Sequence, residues 1–161
     1  MKVIKEEIYQ KEKETAQKFY STIKSVRCPY FGDQDVFFTS EGFNHILYKN
    51  PRVARAKADQ IMRFRSLETA KKLINISSTC QEKEITNEVV IRKFKKRKEK
   101  ITKAVQYWGF IAILDKKKIK VIIKKTGEGK IIFWSIIPYW RTTKHGDMVF
   151  RDFATGNLEE D

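Results

Sequence analysis

Ile4, Ile8, Phe19, Ile23 and Val26 recur near a 3.6-residue spacing, with Ala16 filling the gap. They predict a helix over residues 3–26, with Lys and Glu on its other face. Pro29 and Gly32 stop it. Val36 to Thr39 is a short apolar run and predicts a strand. Ser40 and Glu41 then open a second helix over 41–49. Phe43, Ile46 and Leu47 share one of its faces, and Asn44, His45 and Tyr48 lie at the edges. Pro51 breaks that helix or begins the next.

Residues 52–75 predict the longest helix. Val53, Ile61, Phe64, Leu67 and Ile74 supply its apolar stripe, and Ala54, Ala56, Ala58 and Ala70 favour helix. Its other face carries Arg52, Arg55, Lys57, Arg63, Arg65, Lys71 and Lys72, against the acids Asp59 and Glu68. Residues 77–88 are polar and predict a loop, with a strand starting near Val89. The run 92–103, RKFKKRKEKITK, holds eight basic residues and one acid. Its like charges repel, which predicts an exposed loop or frayed extension until a partner neutralises it.

The last third changes character. Val105 to Leu114, Ile119 to Ile123 and Lys130 to Ile137 are aromatic and β-branched, with turns at 115–118 and 127–129. They predict an antiparallel meander, and Met148 to Phe153 offers an edge strand. The fold class read from this order is α+β: N-terminal helices packed on a C-terminal sheet of three to four antiparallel strands. One domain spans residues 1–161.

Charge sharpens the picture. The formal net charge is +14, from 34 Lys and Arg against 20 Asp and Glu. Such a surplus repels itself unless a polyanion comes near, which points to nucleic acid: RNA first, DNA second. An acidic inhibitor protein suits the same surface. Simple solubility is the plain alternative. No apolar run reaches the length of a signal or membrane segment, and the two cysteines, Cys28 and Cys80, make no disulfide framework. Both features suit a cytoplasmic protein without a membrane partner. The oligomeric state stays open.

No strong motif carries chemistry. Gly127-Glu128-Gly129 lacks the spacing and following helix of a phosphate loop. Two histidines and two cysteines make a zinc site a poor expectation, and Asp33 and Asp35 read as solvated loop residues. No metal and no cofactor is expected. What remains is chemistry that RNA half supplies: its 2′-hydroxyl is the nucleophile. The protein then provides a base, an acid and cations for the phosphorane.

His45 is the first candidate acid or base, with His145 the second; either is equally readable as a loop or core-edge residue. Arg63, Arg65, Lys71, Lys72, Lys96 and Arg97 are candidate phosphate contacts, or simply solvated faces. Alternation places Tyr107 on one face of its strand and Trp108 on the other. One face must meet the helices. The other can show aromatics such as Tyr107 with Lys120 and Lys124, a stacking surface for bases. For any single ring, ordinary core is the plainer reading. Ser135 is a phosphate donor if its face is the open one. Trp140 and Arg141, adjacent at a strand end, can hold a base and its phosphate.

The strings VFFTSEGFNHILYKN, then a basic helix, then YWGFIAIL, KVIIKK and KIIFWSIIPYW, over residues 35–140, resemble phage-associated members of the barnase–EndoU–colicin–RelE nuclease superfamily. The resemblance implies a barnase/RelE-like fold, metal-independent RNA cleavage and a toxin or phage-conflict role. By residue it implies catalytic positions at His45, Lys120, Ser135 and Arg141, with Lys124 beside them. It leaves the N-terminal helix and the run 92–103 unexplained. Three readings therefore stand: a metal-independent endoribonuclease, a non-catalytic RNA- or DNA-binding module, and a protein-interaction or structural factor.

Overall fold

The structure is a computed structural model that describes residues 4–142, 148–150 and 157–161. Helix α1 spans Glu6–Ile23. Strands β1 (Ser25–Cys28) and β2 (Gln34–Phe37) form a hairpin around a short 3-10 turn at Pro29–Phe31. Helix α2 (Ser40–Leu47), the small ribbon β3 (Tyr48–Asn50) and β4 (Val53–Ala54), and helices α3 (Lys57–Arg65) and α4 (Leu67–Ile76) follow. Strands β5 (Glu82–Phe94), β6 (Arg97–Leu114), β7 (Lys117–Thr126), β8 (Ile132–Thr142) and β9 (Met148–Phe150) complete the described chain.

This overturns the expected sheet. It is a seven-stranded mixed sheet ordered β1-β2-β8-β7-β6-β5, with β9 also on β8, and not a C-terminal antiparallel sheet of three to four strands. The N-terminal half contributes β1 and β2, and β2 joins β8 in parallel through Phe37 and Ile132. The helices therefore do not all precede the sheet. Val26 fits both a helical period and an alternating one, so the short strand hides at the end of α1. Lys24, at φ 60°, ends α1 before it.

Three further expectations change. The buried side of α1 is Tyr9, Ala16, Tyr20 and Ile23, while Ile8 is half exposed. Tyrosines bury there because their hydroxyls are partnered: Tyr9 donates to Gln60 Oε1 and Tyr20 to the Thr39 carbonyl, each at 2.5 Å. The long helix over 52–75 is instead β4 and two helices broken at Ser66. Residues 92–103 are no loop. They form the far end of a hairpin in which β5 pairs with β6 from Glu82–Gly109 to Phe94–Arg97. Ile85, Val89, Val90 and Ile91 favour extended backbone, and cross-strand hydrogen bonds hold it despite the charge.

The main core lies between the helices and one sheet face. Trp108 and Phe110 of β6, Ile119, Val121 and Ile123 of β7, and Phe133 and Ile136 of β8 meet Ile61, Phe64, Leu67 and Leu73. The opposite face carries a smaller cluster of Val105, Tyr107, Ile122, Ile137 and Leu158. Two details aim β8 at this second face. Its register shifts against β7 between Ile122 and Ile123, so Ser135 faces Ile122 and Phe133 faces Ile123, leaving Trp134 as an extra residue. Helix α2 also lies hard against β8: a Cβ at Gly42 would stand 2.3 Å from the Phe133 carbonyl oxygen.

Candidate functional site

The second sheet face gathers polar side chains from distant parts of the chain. Lys120 and Lys124 come from β7, Tyr107 from β6, and Trp134 and Ser135 from the shifted stretch of β8. The tight α2–β8 contact brings His45 over the edge, where its ring stacks on Trp134 at 4.0 Å between centroids. Lys124 Nζ lies 4.0 Å from the Trp134 centroid and 5.7 Å from that of Tyr107. Burial raises the Tyr107 hydroxyl above its ordinary range. A cavity of about 620 Å³ opens here, lined in part by Asn44, His45, Tyr107, Lys124 and Trp134.

Beside this aromatic cluster lies a cationic recess. Arg55, in the link before α3, and Arg63, on α3, flank Asp59 at helical spacing. Arg63 is fully buried; its Nε donates to Asp59 Oδ1 at 2.7 Å and its Nη1 to Ser135 Oγ at 2.7 Å. Arg55 donates from Nε to the His45 carbonyl at 2.9 Å, and its Nη2 lies 3.0 Å from His45 Nε2. A guanidinium only donates, so Nε2 accepts and the ring proton sits on Nδ1. Burial, then Arg55, Arg63 and Lys124, hold His45 neutral, with its pKa pulled down to about 2. Burial and the neighbouring Arg63 lower Arg55 to about 10.

Residues 157–161 sit on this recess. The main-chain oxygen of Asp161 accepts from Arg63 Nη1 at 2.6 Å, Ser135 Oγ at 2.7 Å and Arg55 Nη2 at 3.3 Å. The Glu160 carbonyl accepts from Arg55 Nη2 at 2.7 Å, and the Glu159 carbonyl from Trp134 Nε1 at 3.0 Å. Lys120, fully buried, lies 3.0 Å from Glu82 Oε2 and 3.8 Å from Asp161 Oδ2. Three donors from three segments thus converge on one oxygen, an arrangement suited to an oxyanion.

Of the residues singled out in the sequence, His45, Arg63, Tyr107, Lys120, Lys124 and Ser135 meet at this face. Arg65 instead pairs with Glu12 on the surface, at 2.6 Å. Lys71 and Lys72 are exposed on α4. Lys96 and Arg97 lie at the hairpin tip, and Arg97 is about ten residues along β6 from Tyr107, roughly 33 Å. Trp140 and Arg141 lie in β8, paired with Phe150 and Val149 of β9. His145 lies outside the described residues. Arg55, Asp59, Glu82 and Asp161 were missed. The 55-59-63 spacing was a readable signal for the first two; nothing local marks Glu82 or Asp161.

Among the described residues no three His, Cys, Asp or Glu side chains gather as a metal ligand set. No described helix is long and apolar enough to cross a membrane. No family model matches the chain, and no curated protein or solved structure matches it.

Proposed function

We propose that the protein is a metal-independent endoribonuclease that holds RNA across the second face of its sheet, opposite the helices. The observation that carries this reading is the convergence of Arg55, Arg63 and Ser135 on a single oxygen beside the aromatic cluster. A phosphodiester takes that oxygen's place. The two guanidiniums and the hydroxyl hold its non-bridging oxygens and stabilise the charge that builds on the phosphorane. Lys120 adds a cation, while the partly exposed Trp134 meets a neighbouring base.

The 2′-hydroxyl oxygen bonds to phosphorus as the bond to the 5′ oxygen breaks. The products are a 2′,3′-cyclic phosphate and a free 5′-hydroxyl. Once phosphate draws Arg55 Nη2 away, His45 takes the attacking hydroxyl's proton on Nε2 and delivers it to the departing 5′ oxygen. Its neutral ring is the form a base requires, and the negative charge of a bound phosphate raises its basicity from the depressed value.

A second reading, nucleic-acid binding without cleavage, is favoured by the hairpin arm. Residues 91–100 are exposed on both strands, and Arg92, Lys93, Lys95, Lys96, Arg97, Lys98 and Lys100 stand there against Glu99. This surface attracts phosphates far from His45. Incubation of the purified protein with labelled total RNA, with and without EDTA, separates the two. EDTA-resistant fragments ending in 2′,3′-cyclic phosphate, lost in Ser135→Ala, support cleavage. Salt-sensitive RNA retention with intact RNA supports the binding module. Absence of both overturns both.

A further inference from the structure

We propose that residues 157–161 are an internal strap that occupies the phosphate recess and must leave before RNA enters. The inference rests on the reading of that recess as a phosphate site, and it adds how the site is controlled.

The strap is built as one tight turn. The Asp161 N–H donates to the Asn157 carbonyl at 2.9 Å, and Asn157 Oδ1 accepts from the Glu159 N–H at 3.0 Å. The turn aims three successive main-chain oxygens, of Glu159, Glu160 and Asp161, at Trp134, Arg55 and Arg63. Its acidic side chains reach other cations: Glu160 lies 3.4 Å from Lys49, and the Asp161 carboxylate 3.8 Å from Lys120. The groups that would hold an RNA phosphate and stack its base are thus engaged by oxygens in a negative segment. A phosphate and the strap cannot share them.

A purely structural segment would satisfy the recess fully, and this one does not. Arg63 Nη2 is buried and has no hydrogen-bond partner among the described residues. Leaving a buried charged donor unmet is costly, and phosphate has the extra acceptor oxygens to meet it. Arg55 and Arg63 also share one carboxylate, Asp59. One apolar side chain anchors the strap: Leu158 is 2% exposed, packed in the cluster with Tyr107, Ile122 and Ile137. A polar residue there releases the strap without touching a cation.

The test compares the native protein with Leu158→Asp, using two probes: inorganic phosphate, and a fluorescent RNA whose 2′-O-methyl groups prevent cleavage. Each binding measurement is paired with a thermal melt. If about a tenth of the native molecules have an open strap, release tightens binding by about tenfold. Adding Arg63→Ala to Leu158→Asp abolishes the gain. Should Leu158→Asp fail to fold, hydrogen exchange of the native protein decides. RNA binding then speeds exchange at the Leu158 and Asp161 amides, which donate to Glu84 and Asn157. Tighter phosphate binding without RNA binding would sink the RNA reading and leave the strap. Unchanged affinity for both probes in a folded variant, or unchanged exchange in an RNA complex, overturns the strap.

Discussion

Strand β6 runs through two regions that use positive charge in opposite ways. In its buried part, Tyr107 and Trp108 lie in a sheet whose second face meets the buried cations Arg63, from α3, and Lys120. At its far end, Arg97 to Lys100 are exposed to water. Burying a cation costs several kcal/mol unless fixed partners meet it, so each recess cation is tied to named oxygens. The arm cations keep their hydration and cost little. They act through a shared field that reaches about a Debye length, roughly 8 Å in physiological salt. The recess sets geometry; the arm sets attraction.

The largest effect expected from breaking this contrast is at Arg63. Arg63→Ala strands Asp59, Ser135 and the strap, and should cost about 3–5 kcal/mol in urea unfolding. A loss under about 1 kcal/mol would show that the recess is wet and loosely held.

Acid comes next. His45 is held neutral near pKa 2, below its ordinary 6.5, so the unfolded chain binds the extra proton first. Its contribution to stability is complete above pH 6.5 and erodes as pH falls from there toward 2, by up to about 1.4 kcal/mol per pH unit. Melting temperatures from pH 7 to pH 5 should fall in the native protein and fall less in His45→Gln. Parallel curves would remove His45 as the cause.

Gly42→Ala should follow, at about 1–3 kcal/mol, because its Cβ meets the Phe133 carbonyl and pushes α2 from β8. RNA retention by the arm should survive while cleavage falls. Loss of both together would mean the two regions are not separable.

The smallest effect on stability belongs to the arm. Replacing Lys95, Lys96, Arg97 and Lys98 with Gln should leave stability within about 0.5 kcal/mol. The slope of log affinity against log salt for single-stranded RNA should nevertheless fall by about 3. An unchanged slope would take the arm out of binding.

The same contrast explains what was legible beforehand. The apolar strands near 105–114, 119–123 and 130–137 announce themselves because burial on both faces leaves almost continuous hydrophobic runs. Strand β5 is exposed over most of its length, so only its apolar stretch from Val89 was marked, and its polar start from Glu82 read as a loop. Arg63 and Arg65 look interchangeable in the sequence. Two residues on a helix turn the side chain by about 200°, and one is buried while the other pairs with Glu12 on the surface. His45, Lys120 and Ser135 could be named because their residue types suit the chemistry. Asp161 could not: its partners Arg63 and Arg55 lie 98 and 106 positions away.

The register shift in β8 also divides the chain by its tolerance of length change. Ser135 shares the second face with Trp134 only because one residue is extra there. Deleting Trp134 would restore strict alternation against β7 at the expense of the ring that His45 stacks on. Deleting a residue pair at the arm's tip would only shorten a ribbon. Insertions and deletions should therefore accumulate freely at the tip and be barred at the shift, so length polymorphism among variants of this chain would itself map where the molecule keeps its working parts in phase.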